Sequence, residues 1–254
     1  MLYVDDMLIA AKSIKEIVIL KSLLSKEFEM KDLGAAKKIL GMEIRRDRKA
    51  GRLWVTQEKY VKKILEMFSM SDTKPVGTPL ASHFRLSSRQ SPTTETEIED
   101  MSKVPYANAV GCLMYVMVCT RPDLAHAVST VSKYMANPRR EHWKAVKWIF
   151  KYLRGTADYG IMFQRQHSSI LVVGYVDADY AGDLDDRRSM TGYVFTLAGG
   201  PICWKSTLQS TVALSTTEVE YMAAAEAAKE ALWVKWLVKE LGVDQGGVQL
   251  HCDS

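Results

Sequence analysis

The stretch from residue 170 to 254 changes hydrophobic period in a way that few architectures accommodate. Short apolar runs at 170–178, 191–198 and 201–206 have the length and composition of strands. The segment from about Thr216 to Leu241 is helical in period, and VQLHCD at 248–253 starts another strand. Three strands, one long helix and a fourth strand define an α/β sheet with a helix on its face. The last strand ends the sequence, so the final layer is expected to be missing. A sheet left with one bare apolar face is expected to associate or fray.

Upstream, LYVDDMLIA at 2–10 reads as a hairpin with Asp5 and Asp6 at or near its tip. Residues 14–28 follow helical spacing, with Ile14, Ile17, Leu24 and Phe28 on one stripe. A second hairpin is expected over 39–57, with arms ILGMEIRRD and RLWVTQ. A helix at 58–69 then turns Tyr60, Val61, Ile64, Leu65 and Phe68 one way. Pro75, Pro79, Pro92 and Pro105 punctuate a Ser/Thr-rich stretch at 71–105, read as a linker. Helices are expected at 106–119, at 122–136 behind Pro122 and Asp123, and at 141–154. The last turns Trp143, Val146, Phe150 and Leu153 inward and ends at Gly155. The chain thus divides at 1–70, 71–105, 106–165 and 166–254.

At 47% hydrophobic and 25% charged residues, composition is that of a globular protein and excludes disorder throughout. A net charge of +4 permits a polyanionic partner without requiring one. Cys112, Cys119, Cys203 and Cys252 form no CxxC pair and read as reduced, mostly buried thiols of an intracellular protein. No apolar run has the length of a membrane-spanning helix, so no membrane partner is expected.

The acids carry the chemistry. Asp5 and Asp6, inside an apolar hairpin, are costly unless a metal ion or solvent at the tip compensates them. Asp177 ends the run LVVGYV, with Asp179 two residues on and on the same strand face, and Asp183 follows. Spacing leaves Asp177 and Asp179 undecided, and acids capping a strand end explain either one equally. Ser215-Thr216-Thr217-Glu218 has the form of a capping box, which gives Glu218 a structural task. Glu220 instead heads an apolar stripe through Ala223, Ala227, Ala231, Val234, Val238 and Leu241, and needs a partner there. Asp253 ends the final strand as Asp177 ends the first. Two strand ends and one helix start can bring three carboxylates to one spot, the donor set for Mg2+ and in-line phosphodiester hydrolysis.

Two groups of strings carry a family resemblance. LYVDDMLI resembles the YxDD box of reverse transcriptases, and KKILGMEI and the helix after it fit the primer-gripping hairpin and thumb that follow it. GYVDADYAGD, DRRSMTGYVF, ICWKS, VALSTTEVEYMAA and LHCDS, in this order, resemble the ribonuclease H of copia-type retrotransposon Pol polyproteins. VPYANAVGCLMYVMVCTRPDLAHAVS and EHWKAVKWIFKYLRGT resemble the connection between the two. The resemblance implies an α/β (α+β) chain in named parts. A palm-hairpin and thumb remnant spans 1–70, a linker 71–105, a helical connection 106–165 and a C-terminally truncated ribonuclease H-like mixed sheet 166–254. In such a sheet the first three strands run antiparallel and the fourth parallel to the first.

It further implies Asp5 and Asp6 as magnesium ligands for nucleotidyl transfer, and Asp177, Glu220 and Asp253 as the first three ribonuclease H acids. A third polymerase acid upstream and a fourth ribonuclease H acid downstream are expected to lie outside the chain. The implied partners are template RNA, primer, the RNA–DNA hybrid and the rest of Pol, in a cytoplasmic virus-like particle or the nucleus. The alternative is a catalytically dead remnant, or a domesticated protein that only binds nucleic acid.

Hybrid phosphates call for cations and polar donors. Candidates are Arg187, Arg188, Lys205 and Gln209 around the sheet, and Lys144, Lys147 and Lys151 on the 141–154 helix; solvated surface cations are the plainer reading of each. Trp143, Trp148, Trp204, Trp233 and Trp236 are read as core, and His126 as structural. His251 receives no role.

Overall fold

Alternation and turn chemistry build two four-stranded sheets, with a helical cluster packed beside them. The structure, a computed structural model, describes residues 2–3, 6–11, 13–90, 94–165 and 171–253. Strands β1 (Leu2–Tyr3) and β2 (Asp6–Met7) pair antiparallel as a hairpin whose tip, including Asp5, lies outside the described residues. Helix α1 (Ile14–Glu27) is capped by Ser13, whose side chain accepts from the Lys15 N–H. Its expected stripe is only partly covered among the described residues: Ile17 and Leu24 are half-buried, Ile14 and Phe28 exposed. No α1 residue is buried, and Ile14 stands 71% exposed. Apolar residues at 14, 17, 18, 19, 20, 23 and 24 run around the helix rather than down one face, which weakens any single packing direction.

The hairpin expected at 39–57 is a meander. Strand β3 (Lys38–Ile39) turns through Leu40 and Gly41, both at positive φ, into β4 (Met42–Asp47). This two-residue turn has the twist that antiparallel strands favour, and Gly41 fits it without strain. Strand β5 (Arg52–Thr56) follows, and β6 (Gly160–Gln164) joins it antiparallel from far along the chain. The sequence reading placed β6 inside a helical segment. Five residues with no alternation give no period to read, and the strand is specified by pairing with β5.

Helices α2 (Glu58–Met67), α4 (Tyr106–Thr120), α5 (Ala125–Ser132) and α6 (Arg140–Gly155) share one core. In α6 the buried positions are His142, Ala145, Val146, Ile149, Phe150 and Leu153, a continuous i, i+3, i+4, i+7 stripe. The helix expected at 122–136 is shorter: a 3-10 turn at Pro122–Leu124 leads into α5, which stops at Ser132. There the Ser132 hydroxyl donates to the Ser129 carbonyl, and Tyr134 and Met135 make i→i+3 bonds that tighten the last turn.

Residues 71–90 and 94–105, expected as a linker, lie as a strap over these helices. Leu86 and Met101 are buried, and α3 (Glu95–Ser102) starts at a Thr94 cap. Trp148 Nε1 donates to the Thr78 carbonyl at 2.9 Å and Arg154 Nε to that of Ser71 at 2.6 Å.

The second sheet has the order β10–β7–β8–β9. Strands β7 (Val173–Asp179), β8 (Met190–Leu197) and β9 (Gly200–Leu208) are antiparallel, and β10 (Gln249–His251) lies parallel to β7. Helix α7 (Thr216–Glu240) covers one face. It buries Ala223, Ala227, Ala231, Val234 and Val238 against Val176, Tyr193 and Phe195, and Val219 is buried in its first turn. Small residues at every fourth position let the helix approach closely. Leu241, assigned to that stripe, is instead exposed, because α7 has ended. Trp233 and Trp236, read as core, point outward, the latter 65% exposed. The Ala/Val stripe already fills the inner face, so the two tryptophans fall on the outer one.

Candidate metal centre

Strand pleating sets the first acid. Along β7, Gly174 and Val176 are buried under α7, while Tyr175, Asp177 and Asp179 face the other way, exposed. The register of β10 then selects between the two aspartates. His251 pairs with Tyr175 in a parallel ladder, so Asp253, two residues on, arrives beside Asp177. Glu220 comes from the start of α7, where the Glu218 N–H bonds to Ser215 Oγ at 3.1 Å. Glu218 itself accepts from the Leu214 N–H at 2.7 Å, a capping box shifted by one residue.

One carboxylate oxygen from each of Asp177, Glu220 and Asp253 lies within 4.8 Å of the other two. Asp179 is outside this group. Asp177 and Asp253 are exposed and Glu220 is half-buried. Burial, then the charges of Asp253 and Asp177, push the Glu220 carboxyl above its ordinary value, with the Ala178 N–H acting the other way. Glu220 Oε2 is buried and has no hydrogen-bond partner. An all-oxygen donor set, mutually repelling and with one orphaned buried oxygen, suits a hard divalent cation.

The other expected site residues are scattered. Asp5 lies outside the described residues. Asp6 is exposed on β2 opposite Tyr3. Arg187 is exposed at φ +59°, and Arg188 is half-buried, 4.0 Å from Asp186. Lys205 stands exposed at the wall of a cavity of about 670 Å3 on the sheet face opposite α7, which Asp177, Tyr175, Trp204 and His126 also line. Lys144 pairs with Glu141 at 2.7 Å, and Lys147 lies over the Trp143 ring. These two and the half-buried Lys151 are on α6, which packs among the helices.

Gln209 is a correction. It is buried, and its Nε2 donates to Thr191 Oγ1 at 3.1 Å and to the Val219 carbonyl at 3.0 Å. It ties the end of β9 to the first turn of α7, next to Glu220, and is not available to a ligand. The cysteines also differ from expectation: Cys112, Cys119 and Cys203 are half-buried and Cys252 is exposed, all as free thiols. Burial, with the bond to Glu230, pushes the Cys203 thiol up to about 12. His126 is exposed rather than structural, and His251 stacks on Tyr175 at 5.2 Å. Sequence reading passed over Asp185, which joins the β7–β8 connection to the strap. Adjacent acids in a polar loop carry no local sign of such a distant partner. No helix among the described residues is long and apolar enough to cross a membrane.

Residues 1–82 match the family model described as Reverse transcriptase (RNA-dependent DNA polymerase). With the sheet, the helices and the relatives described next, this defines the class: the chain belongs to the copia-type retrotransposon Pol family. Over 254 residues it is 55% identical to the Retrovirus-related Pol polyprotein from transposon TNT 1-94 of Nicotiana tabacum, covering 100% of this chain and 19% of that protein. It is 36% identical over 258 residues to the Retrovirus-related Pol polyprotein from transposon RE2 of Arabidopsis thaliana, covering 100% of this chain and 17% of that one. An uncharacterized mitochondrial protein of Arabidopsis thaliana is 35% identical over 233 residues, 92% of each chain. The chain therefore spans less than a fifth of the length of the two polyproteins. No solved structure matches it.

Proposed function

We propose that residues 166–254 are the ribonuclease H part of a Pol polyprotein, in which Asp177, Glu220 and Asp253 hold Mg2+ for hydrolysis of the RNA strand of RNA–DNA hybrids. Residues 1–70 belong on this reading to the palm and thumb of the reverse transcriptase, with Asp5 and Asp6 as its magnesium ligands. Residues 71–105 and 106–165 connect the two. The observation that carries the reading is the convergence of three carboxylate oxygens within 4.8 Å, one of them on a residue with an orphaned buried oxygen.

Mg2+ bound there supplies the charge that activates a water and stabilises the leaving 3′ oxygen. The residues of the chain do the rest. Asp177 and Asp253 present carboxylate oxygens on the exposed face, and the Ala178 N–H, 2.8 Å from Asp177 Oδ1, fixes the first of them. Glu220 closes the third side from the helix. Gln209 holds the turn of α7 that carries it. Arg187, Arg188 and Lys205 supply positive charge for the phosphates of the hybrid. Template RNA, primer and the remainder of Pol complete the set of partners. The test is Mg2+-dependent cleavage of a labelled RNA–DNA hybrid by the purified chain, lost in Asp177→Asn.

A second reading is favoured by the Arabidopsis mitochondrial relative, which has nearly the extent of this chain. On that reading the chain is a remnant, or a domesticated protein that binds nucleic acid without turnover. Hybrid binding by a folded protein, with no cleavage in Mg2+, is its expected signature.

A further inference from the structure

The connection between β7 and β8 runs from the candidate first acid to the two arginines, and it does not stand alone. Within it, the Asp183 N–H donates to the Arg188 carbonyl at 3.1 Å and the Arg187 N–H to the Asp183 carbonyl at 2.9 Å, closing a small loop. Arg187 sits at φ +59°, a left-handed conformation that strains a residue with a Cβ. Such a conformation persists only where its surroundings over-determine it. Those surroundings come from the helical unit.

Asp183 is buried, and its Oδ1 takes the ammonium of Lys133, just beyond the end of α5. Asp185 Oδ1 accepts from Ser87 Oγ at 2.6 Å and from the Ser88 N–H and Oγ, both at 2.9 Å. Its Oδ2 accepts from the Tyr134 hydroxyl at 3.4 Å. Behind this, His142 stacks on Tyr134 at 4.0 Å and its Nε2 contacts the Ser87 carbonyl at 3.2 Å. Strap, α5 and α6 thus all bear on two carboxylates of one loop.

We propose that Asp183 and Asp185 are positioning residues: through them the helical unit fixes the β7–β8 loop and so presents Arg187 and Arg188 to the phosphates of a nucleic acid duplex. The proposal rests on the reading of the sheet as a hybrid-binding unit and adds that binding is set from outside the sheet. Asp183 and Asp185 face inward, spent on Lys133 and the serines, while Arg187 faces solvent. If the latch works through the arginines, removing the latch and removing the arginines erase the same interaction, and their effects do not add.

The test is the affinity of a labelled RNA–DNA hybrid for the full chain, measured against salt in Ca2+ so that cleavage does not intervene. Asp185→Ala is expected to weaken binding about tenfold at physiological salt, and to flatten the salt dependence by one to two counterions, roughly 0.9 in slope for each. The double substitution Ser87→Ala with Ser88→Ala, which removes the same bonds from the strap side, is expected to do likewise, and Asp185→Asn to restore most of the affinity. Arg187→Ala with Arg188→Ala is expected to lose about as much, and adding Asp185→Ala to it to lose nothing further. Additive losses overturn the proposal, as does Asp185→Ala binding like the parent chain while the arginine variant weakens. Unchanged affinity in the arginine variant also overturns it. Hybrid cleavage by the parent chain reports separately on the metal-centre reading.

Discussion

Replacing Glu220 with Gln is expected to stabilise the metal-free protein and to remove its response to Mg2+. The carboxylate shares a site with Asp177 and Asp253, its oxygen within 4.8 Å of theirs, and leaves Oε2 buried without a partner. Two unit charges 4.8 Å apart repel by about 0.9 kcal/mol at the dielectric of water and by about 3.5 kcal/mol at an effective dielectric of 20. Asp177 and Asp253 are exposed, so the lower figure governs, and two such pairs come to about 2 kcal/mol. The Gln amide removes both repulsions and can donate to the neighbouring carboxylates. For a chain of this size, that gain raises the unfolding midpoint by about 4–8 °C. The opposite holds in the parent chain with metal: at free Mg2+ about ten times its dissociation constant, binding adds about 1.4 kcal/mol. Thermal unfolding of both proteins, in chelator and in Mg2+, reads both effects. A Gln variant less stable than the parent in chelator refutes the electrostatic reasoning, and equal Mg2+ stabilisation of both proteins refutes the ligand assignment.

Other consequences follow from the same geometry. Stability is expected to fall in acid in two stages. Burial holds His142 below its ordinary value, and the Ser87 and Ser88 bonds and Lys133, outweighing burial, hold Asp185 below its own. Each bears fewer protons folded than unfolded, so its contribution is whole above the unfolded value, 6.5 for His142 and 3.8 for Asp185. It is lost as pH falls through the lower folded value. The raised Glu220 carboxyl acts in the opposite sense, so urea unfolding of the Glu220→Gln variant across pH 7 to 3 checks this, and a variant whose stability rises on acidification contradicts it. Gly174→Val is expected to push β10 away, because a Cβ there would sit 2.5 Å from Leu250 and 2.6 Å from Phe195. Asp253 then leaves the cluster, and Mg2+ stabilisation should drop with it in the thermal assay. Trp233→Lys with Trp236→Lys is expected to raise solubility and change unfolding free energy by less than about 1 kcal/mol, since both side chains are exposed. A large loss of stability would mean that they are packed.

How far the chain could be read in advance depends on where each specification resides. Helix α6 was legible because its buried residues repeat at helical spacing, and β7 to β9 because their arms carry strand composition. Glu220 stood out as an acid heading an apolar stripe. Asp177 and Asp179 could not be separated by pattern, since both face the same way along β7. The parallel pairing of His251 with Tyr175 decides between them, and that is a tertiary fact. The packing of 71–90 and 94–105 left no mark in the sequence, because its anchors include side chains bonding to its backbone carbonyls, Trp148 to Thr78 and Arg154 to Ser71, which have no period. Gln209 looked like a surface polar residue; its partners, the Thr191 hydroxyl and the Val219 carbonyl, are brought to it by β8 and α7 and leave no local sign. The opposite case is α1, where apolar spacing is present and no residue of the helix is fully buried among the described residues.

The central claim is that Asp177, Glu220 and Asp253 together form a magnesium centre for hydrolysis of RNA in a hybrid, and the two aspartates of β7 offer its most direct test. Cleavage of a labelled RNA–DNA hybrid should be measured for the parent chain, Asp177→Asn and Asp179→Asn, in Mg2+ and in chelator, with folding of each checked by circular dichroism. Mg2+-dependent cleavage is expected of the parent chain and of Asp179→Asn, and none of Asp177→Asn. Cleavage that survives Asp177→Asn, or a folded parent chain that binds the hybrid and leaves it intact in Mg2+, would contradict it.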